Sequence, residues 1–178
     1  MTKKAFFFDR DGIINKRKIG GYITTKEQFI FEVDFFNIFQ KIVDQGFITI
    51  VITNQQGVGK GLMSEAELNQ IHTMMQDAIN KKTGFQFDGI YYCGDLEDSG
   101  SQRRKPFPGM IEEAVKDFDI DVSHSWMIGD SPSDVQAGKS AGCKTILIGD
   151  YAKGFPNADL VYSTLKEFLV SLPLILNK

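Results

Sequence analysis

FFFDRDG, residues 6–12, joins an apolar run to two aspartates and a glycine. Three consecutive phenylalanines predict a strand buried on both faces, because a strand with one wet face would alternate apolar with polar residues. Asp9 and Asp11 stand where this strand ends, and Gly12 permits a tight turn there. Two carboxylates at such a position can bind a divalent cation and divide nucleophilic and acid/base roles between them. A pair of turn-forming aspartates is the alternative.

Apolar runs of strand length recur along the chain, and segments with helical periodicity separate them. None of the runs alternates strictly between apolar and polar residues, which favours a buried parallel sheet. Parallel strands need crossover connections, and the helices in those connections cover both faces of the sheet. The sequence therefore predicts the α/β class, with a doubly wound, Rossmann-like parallel sheet in three α/β/α layers. The predicted strands are residues 5–8, 47–52, 90–93, 125–128, 145–148 and, more weakly, 160–162.

Helices are predicted between these strands. Ser64 with Glu67 has the spacing of a capping box, and so has Thr164 with Glu167. The predicted helices are residues 35–42 with a C-terminal cap at Gly46, 64–84, 108–118, 133–141 and 164 to about 172.

Length and composition limit what the protein can be. Its 178 residues suit one domain, so we expect a single domain over residues 1–178, and a monomer. A formal net charge of −3, with no basic block beyond residues 103–105, argues against nucleic acid as a partner but is compatible with a small anionic substrate. No apolar run is long enough to cross a bilayer, so no membrane partner is expected. Cys93 and Cys143 lack metal or disulfide spacing, which favours a cytoplasmic location.

Polar residues cluster where strands end, and ligands bind beyond the carboxyl ends of strands in a doubly wound sheet. VITNQQG, residues 51–57, places Thr53 and Asn54 after the second strand, with hydroxyl, amide and backbone N–H groups that suit a phosphate. A plain turn is the alternative. GVGKG, residues 57–61, is not a P-loop, because the Walker pattern requires Gly at position 54 and Ser or Thr at position 61.

QRRKPFPGM, residues 102–110, contains a second phosphate-binding candidate. Lys105 precedes a proline and so lies in extended backbone just before a predicted helix. Its ammonium group could neutralise a phosphoryl group there. A solvated surface run is the alternative.

MIGDSPSD, residues 127–134, adds Asp130 at the end of the fourth strand and Asp134 one helical turn later. Both carboxylates belong to the same edge of the sheet as the first aspartate pair. Helix capping by Ser133 or Asp134 is the alternative, and it is compatible with metal binding. The two histidines, His72 and His124, have no partner at a ligand spacing, so they are predicted to be surface or structural residues.

The motifs Asp-x-Asp-Gly, Thr-Asn, Lys-Pro and Gly-Asp-x3-Asp occur in this order, each where a strand ends or a helix begins. In that combination the chain resembles the haloacid dehalogenase superfamily of phosphatases. Shorter strings are similar to one branch, the D-glycero-D-manno-heptose 1,7-bisphosphate phosphatases and the related histidinol-phosphate phosphatases, and extend the likeness from Lys4 to about Ile148. These strings are FFFDRDGIIN, GYI followed by FIF, VITNQQGVGKG, FDGIYYC and RRKPFPGM.

The resemblance implies a Mg²⁺-dependent phosphatase that works through an aspartyl-phosphate. Asp9 would attack phosphorus, and Asp11 would protonate the leaving alkoxide and later activate water. The side chains of Asp9 and Asp130 and the backbone carbonyl of Asp11 would hold Mg²⁺, which prefers oxygen ligands in octahedral geometry. Asp134 would act mainly by supporting these ligands.

The resemblance also implies which residues bind the substrate, a small phosphorylated sugar and best a heptose 1,7-bisphosphate cleaved at C7 to the 1-phosphate. Thr53, Asn54 and Lys105 would bind the transferring phosphoryl oxygens, with Arg104 contacting the substrate beside them. No large cap domain fits between the motifs, so substrate choice must come from the loops. Those loops are residues 16–22, 55–62 and 94–103, with Lys60 and Arg103 placed to meet a second anionic group.

Two features depart from that branch of the superfamily. Its members often hold structural zinc in a loop of Cys and His residues before the Arg-Lys-Pro, whereas residues 93–104 here contain one Cys and no His, so no zinc is expected. The branch also commonly has Lys at the position of Ser131, and Arg at the position of Lys60.

Three alternatives remain beside the heptose bisphosphatase. A histidinol-phosphate phosphatase belongs to the same branch, and a phosphatase acting on polynucleotide ends shares the Asp-x-Asp and Thr-Asn motifs, although the net charge and the lack of a basic stripe argue against it. A phosphate-accepting receiver module also combines Asp, Thr and Lys at strand ends. A receiver, however, places its acceptor Asp after the third strand, where this chain has Cys93, Gly94 and Asp95.

Overall fold

Six parallel strands form one sheet at the centre of the computed structural model, which describes residues 3–151 and 157–176. Every predicted strand is present. The largest difference from the prediction is in the second strand, which includes Thr53 and Asn54 because both pair with the third strand instead of lying in a loop. The strands are β1 (Ala5–Phe8), β2 (Ile48–Asn54), β3 (Gly89–Cys93), β4 (Trp126–Gly129), β5 (Lys144–Ile148) and β6 (Leu160–Tyr162).

Helices occupy the connections, close to where the sequence predicts them. The α-helices that the structure describes are α1 (Phe35–Val43), α2 (Gln56–Gly59), α3 (Glu65–Thr83), α4 (Gly109–Phe118), α5 (Pro132–Ala141) and α6 (Leu165–Leu176). Short 3₁₀ turns lie at Lys26–Gln28 and Val122–His124.

The predicted capping box is confirmed in full at α3 and in part at α6. The Ser64 hydroxyl accepts from the backbone N–H of Glu67, whose carboxylate accepts from the backbone N–H of Ser64. The Thr164 hydroxyl likewise accepts from the N–H of Glu167, but the Glu167 carboxylate accepts from the backbone N–H of Ser163 instead of that of Thr164.

The helices differ from the prediction in three places. The one-turn helix α2 was not predicted. Helix α1 ends at Val43, and Gly46 lies beyond it in the left-handed region, with φ of 75°. Helix α6 continues past Pro173 to Leu176 because both Leu172 and Ile175 bury their side chains in the core.

The strand order explains where a site can form. The order is β3-β2-β1-β4-β5-β6. The chain therefore places β2 and β3 on one side of β1 and then crosses back to place β4, β5 and β6 on the other side. A crevice opens at such a reversal, beyond the carboxyl ends of the two central strands. Asp9 follows β1 and Asp130 follows β4, which places these two carboxylates at that crevice.

The core lies in two layers, one on each face of the sheet. Successive side chains of β1 point to opposite faces. Phe6 and Phe8 pack in a cluster with α1, α3 and α6, whereas Phe7 packs in the other cluster with α4 and α5. All three phenylalanines are fully buried, which confirms the prediction that both faces of this strand are covered.

The connections contain no large insertion. A 3₁₀ turn and α1 join β1 to β2, and α2 and α3 join β2 to β3, so the described part of the chain has no large cap domain, as predicted. Within residues 3–151 and 157–176, no helix is long and apolar enough to span a bilayer. The single domain over residues 1–178 stays a prediction.

Candidate active site

The carboxyl ends of β1, β2 and β4 open onto one cleft of about 740 Å³, within the range of small-molecule sites. Most of the residues singled out from the sequence line it. Thr53 is buried behind the cleft wall, and Arg103 lies elsewhere. The lining residues predicted from sequence are Asp9, Asp11, Asn54, Lys60, Arg104, Lys105, Asp130 and Asp134.

Three aspartates form an acidic cluster at the floor of the cleft. Asp9, Asp130 and Asp134 each bring one carboxylate oxygen to within 4.8 Å of the others. Burial above all, with the negative charges of Asp134 and Asp130, raises the pKa of Asp9 to about 7 against the opposing effect of Lys105. Burial, and then Asp134, likewise raise the pKa of Asp130. A divalent cation would relieve this repulsion.

Gly12 allows the cluster to be this compact. Its φ of +99° suits glycine, and a Cβ at this position would lie 2.1 Å from Oδ2 of Asp130. The backbone that follows Asp11 therefore packs directly against the Asp130 side chain.

Lys105 supplies a buried positive charge to the cluster. Its Nζ lies 2.8 Å from Oδ1 of Asp9 and 2.6 Å from Oδ1 of Asp134, and it donates to the backbone carbonyl of Ile52 at 2.8 Å. The Lys105 side chain is only 3% exposed. Burial lowers the pKa of Lys105, but the two carboxylates outweigh burial and raise the pKa above its usual range. The ammonium group is therefore charged.

Asn54 holds Lys105 in place. Its amide nitrogen donates to the backbone carbonyl of Lys105, and its amide oxygen accepts from the backbone N–H of the same residue, both at 3.0 Å. Both ends of the Asn54 side chain are thus engaged with the main chain. The contact of Asn54 with a phosphoryl group stays a prediction, and the backbone of Asn54 would make that contact.

Asp11 is held more tightly than the other aspartates. Arg10 Nη2 donates to both of its oxygens at 3.2 and 3.0 Å, Asn15 donates to Oδ1 at 2.9 Å and Gln55 donates to Oδ2 at 2.9 Å. Burial raises the pKa of Asp11, but Arg10 and the amide donors from Asn15 and Gln55 together lower it below its usual value. The Asp11 carboxylate is therefore oriented and anionic in the free protein.

Gln55 connects two predicted site residues. Its Nε2 lies 2.9 Å from Oδ2 of Asp11 and 2.9 Å from the hydroxyl of Thr53. Thr53 is 1% exposed, so its hydroxyl lies behind the Gln55 amide. Thr53 itself does not line the cleft, so its predicted phosphate contact stays a prediction.

Basic residues surround the mouth of the cleft. Lys60 lies over the ring of Tyr22, with Nζ 5.2 Å from its centre, and Arg104 donates to the backbone carbonyl of Asp95 at 3.1 Å. Arg17 was not singled out from the sequence, yet its Nη1 lies 3.1 Å from Oδ2 of Asp130 and its side chain is 60% exposed. These three cations are additional to Lys105.

Arg103 does not reach this cleft. It is exposed, and its guanidinium makes two hydrogen bonds to Glu113, at 2.7 and 3.0 Å. Its predicted substrate contact stays a prediction that this side-chain position does not support.

The cap of α5 differs from the expected one. Ser131, not Ser133 or Asp134, is the N-cap residue, and Asp134 accepts from its backbone N–H at 3.0 Å and from its hydroxyl at 2.8 Å. Asp134 is 1% exposed. This carboxylate therefore starts the helix with one oxygen and pairs with Lys105 through the other.

The loop after β3 has no group of metal ligands among the residues that the structure describes. The thiol of Cys93 instead contacts Oδ2 of Asp95 at 3.4 Å and lies 3.7 Å from the hydroxyl of Ser101. The absence of structural zinc stays a prediction. Both cysteines are buried and unpaired.

Sequence reasoning missed Arg10, which is completely buried beside the site. Its place between Asp9 and Asp11 was a signal for ion pairing, but no local pattern predicts that an arginine is buried. Gln55 and Arg17 lay within loops expected to select the substrate and were not identified individually. His124 is exposed and paired with Asp121, and His72 is buried and contacts Arg10, so both fit the prediction of surface or structural residues.

Comparison with known proteins adds to this geometry. A family model described as HAD-hydrolase-like matches residues 102–165. A D-glycero-beta-D-manno-heptose-1,7-bisphosphate 7-phosphatase of Helicobacter pylori is 38% identical over 147 residues, which cover 83% of this chain and 84% of the relative. The chain belongs to the haloacid dehalogenase-like phosphatase family.

Other members of the haloacid dehalogenase-like family agree. A D-glycero-alpha-D-manno-heptose-1,7-bisphosphate 7-phosphatase of Burkholderia mallei is 37% identical, with 83% of this chain and 80% of the relative covered. The crystal structure of a D,D-heptose 1,7-bisphosphate phosphatase from B. bronchiseptica, complexed with magnesium and phosphate, superimposes with a TM-score of 0.84 at 27% identity, covering 96% of this chain and 98% of that one.

This haloacid dehalogenase-like protein is thus a phosphoric monoester hydrolase, as predicted. The receiver alternative is excluded. Receivers have the strand order 2-1-3-4-5, whereas the order here places β2 between β3 and β1.

Proposed function

We propose that this phosphatase removes the C7 phosphate of D-glycero-D-manno-heptose 1,7-bisphosphate and releases the 1-phosphate. The observation that carries the proposal is the surplus of cations at the cleft. Lys105 suffices for the phosphoryl group that is transferred, yet Arg17, Lys60 and Arg104 also line the cleft, which suits a second phosphate on the same substrate. The names of the relatives in Helicobacter pylori and Burkholderia mallei support the same substrate.

Asp9 is the proposed nucleophile. Lys105 and the backbone N–H of Arg10 both donate to its Oδ1 at 2.8 Å, which fixes the carboxylate at the end of β1. Attack by Asp9 on phosphorus forms an aspartyl-phosphate and breaks the bond to the C7 oxygen. Lys105 lies where it can stabilise the negative charge of the transferring group.

Asp11 is the proposed general acid and base. In the first step it gives a proton to the leaving C7 oxygen, and in the second it takes a proton from the water that hydrolyses the aspartyl-phosphate. The donors that hold Asp11 favour its anionic form in the free protein. The substrate must therefore bring the proton or displace one of these donors, and Gln55 is the donor among them that lines the cleft.

A magnesium ion fits the acidic cluster. Asp9, Asp130 and Asp134 bring oxygen ligands within 4.8 Å of one another. Burial and, after it, the neighbouring carboxylates raise the pKa values of Asp9 and Asp130, so a bound cation would favour the ionised form of both. Asp9 and Asp130, with the backbone carbonyl of Asp11, would hold the ion, and Asp134 would support them. When bound, Mg²⁺ would neutralise charge on the phosphate oxygens.

The test compares the bisphosphate with the heptose 7-phosphate that lacks the second phosphate. The wild type should prefer the bisphosphate, and Arg104→Ala should lose most of that preference, because a charge-assisted contact contributes about 1.5 to 3 kcal/mol, or about ten- to a hundredfold in kcat/KM. Arg103→Ala is the matched control, since Arg103 pairs with Glu113 away from the cleft. Equal kcat/KM for the two sugars in the wild type would refute the proposal.

The same panel separates the remaining alternatives. It should contain both anomers of the bisphosphate, since the relatives bear both names, together with histidinol phosphate and a 5′-phosphorylated oligonucleotide. Preference for either of the last two would reassign the substrate without changing the chemistry at Asp9. The monomeric state and the cytoplasmic location stay predictions, and sedimentation would test the first of these.

A further inference from the structure

A series of hydrogen-bonded side chains runs from Asp11 into the interior of the protein. Arg10 follows Asp9 at the end of β1, and its side chain is completely buried. Its Nη2 donates to both oxygens of Asp11, and its Nη1 lies 3.3 Å from Nε2 of His72, a residue of α3 that is 6% exposed. The chain Asp11–Arg10–His72 therefore connects a cleft residue with a helix on one face of the sheet.

The hydrogen-bond roles in this chain are determined by chemistry. An arginine side chain has only donors, so Nε2 of His72 must accept, and the imidazole is neutral with its proton on Nδ1. Burial and the positive charge of Arg10 together lower the pKa of His72 to about 3, in agreement with that role. His72 consequently orients the guanidinium without competing for Asp11.

Among the described residues, the side chains that accept hydrogen bonds from the Arg10 guanidinium are those of Asp11 and His72. Nε of Arg10 has no hydrogen-bond partner among the described residues. The ring of Phe29 lies against the guanidinium, with its centre 5.8 Å from Cζ, and provides no acceptor. Without His72, Asp11 would be the one described residue that accepts a hydrogen bond from the guanidinium.

We propose that His72 is a positioning residue for the phosphatase reaction, acting through Arg10 to hold the Asp11 carboxylate in the orientation needed for proton transfer to and from the substrate. The inference rests on the proposed role of Asp11 as general acid and base. Burying an arginine whose Nε is unpaired is unfavourable for folding. A role in orienting Asp11 would explain why Arg10 is buried here.

The role predicts a dependence on the leaving group. An alkyl phosphate releases an alkoxide that needs a proton, whereas 4-nitrophenyl phosphate releases a phenolate that leaves without one. Loss of orientation at Asp11 should therefore lower kcat/KM for the first substrate much more than for the second. The ratio of the two values on one preparation is independent of how much of the protein is folded, so it distinguishes orientation from stability.

The experiment measures that ratio for 4-nitrophenyl phosphate and for the sugar phosphate that the wild type hydrolyses fastest. His72→Phe keeps a ring and removes the acceptor, and we expect it to lower the relative kcat/KM for the sugar phosphate about 10- to 100-fold. His72→Gln restores an acceptor oxygen and should keep the ratio within about threefold of the wild type. Ile71→Val, at a buried neighbour on the same helix, should leave the ratio unchanged.

Asp11→Asn is the reference for the proposed chemistry. If Asp11→Asn leaves the ratio at the wild-type value, then Asp11 is not the acid, and both the proposed role and this inference fail. If Asp11→Asn lowers the ratio but His72→Phe does not, only the positioning role is overturned. Should His72→Phe fail to fold, Arg10→Lys provides the same test, because a lysine ammonium cannot reproduce the flat fork of donors that faces Asp11 and His72 together.

Discussion

Replacing Lys105 by methionine should unfold the protein at a much lower temperature as well as remove its activity. Lys105 is the only cation that contacts both Asp9 and Asp134 within residues 3–151 and 157–176. Methionine keeps most of the side-chain volume but has no charge and no N–H. The substitution removes the ammonium group from two buried carboxylates and from the carbonyl of Ile52.

The size of the effect follows from burial. The side chains of Lys105, Asp9 and Asp134 are 3%, 12% and 1% exposed, so solvent screens the lost attraction very little. Removing one partner of a buried ion pair costs roughly 3 to 5 kcal/mol. For a chain of this size each kcal/mol lowers Tm by about 2 to 4 °C, so Tm should fall by about 6 to 20 °C.

The loss should depend on pH in metal-free protein. Burial raises the pKa of Asp9 to about 7 from an ordinary value of 3.8, so the folded state binds this proton more tightly than the unfolded state. The stability that this proton contributes is complete below the unfolded pKa and is lost as the pH rises through about 7. Without Lys105 the pKa of Asp9 should rise further. The difference in Tm between wild type and variant should therefore be largest near pH 8 and smaller near pH 5.

The assay is thermal unfolding followed by circular dichroism in EDTA, with Lys139→Met as the matched control. Lys139 makes an equally short ion pair with Asp159, at 2.6 Å, but the two side chains are 33% and 36% exposed. An exposed pair contributes only about 0 to 1 kcal/mol, so this control should change Tm by at most a few degrees. Equal Tm losses in the two variants would refute the argument from burial.

Three further predictions concern the acidic cluster and its metal. Asp9→Asn should abolish turnover, because an amide cannot attack phosphorus. Circular dichroism should show an intact fold, because the neutral amide relieves repulsion between the carboxylates of the cluster. More than trace activity would disprove the covalent mechanism. EDTA should inactivate the enzyme, and Mg²⁺ should restore its activity. Metal analysis should find no stoichiometric zinc, and one equivalent of tightly bound zinc would contradict the interpretation of the loop after β3. Gly12→Ala should weaken Mg²⁺ binding about 10- to 100-fold by calorimetry, because the added Cβ displaces Asp130. Gly46→Ala is the control, since Gly46 has a similar positive φ with open space around it, and it should leave the Mg²⁺ affinity unchanged. Equal Mg²⁺ affinities in the two variants would rule out this explanation.

The sequence predicted the fold and the location of the site because both depend on local patterns. Each buried strand is a short apolar run, and each helix has apolar residues at helical spacing. Polar motifs stand at the ends of the first, second and fourth strands, and parallel strands bring these ends to one edge. Asp9, Asp11 and Asp130 could therefore be placed together before any contact was known.

Only the tertiary structure decided how neighbouring residues divide their roles. Arg103 and Arg104 are adjacent in sequence, yet Arg103 pairs with Glu113 on the outside while Arg104 lines the cleft. Sequence gives the charge of both but not the direction of either side chain, which depends on how the loop before α4 turns.

The same holds for contacts between distant residues. The amide of Asn54 binds the main chain of Lys105, 51 positions away, and His72 accepts from Arg10, 62 positions away. Such partners have no signal in local periodicity or spacing, since they meet only when β1, β2 and α3 pack together. The sequence by itself determined which chemical groups gather at the sheet edge, and the packing of those elements decided which group faces the cleft and which group holds another in place.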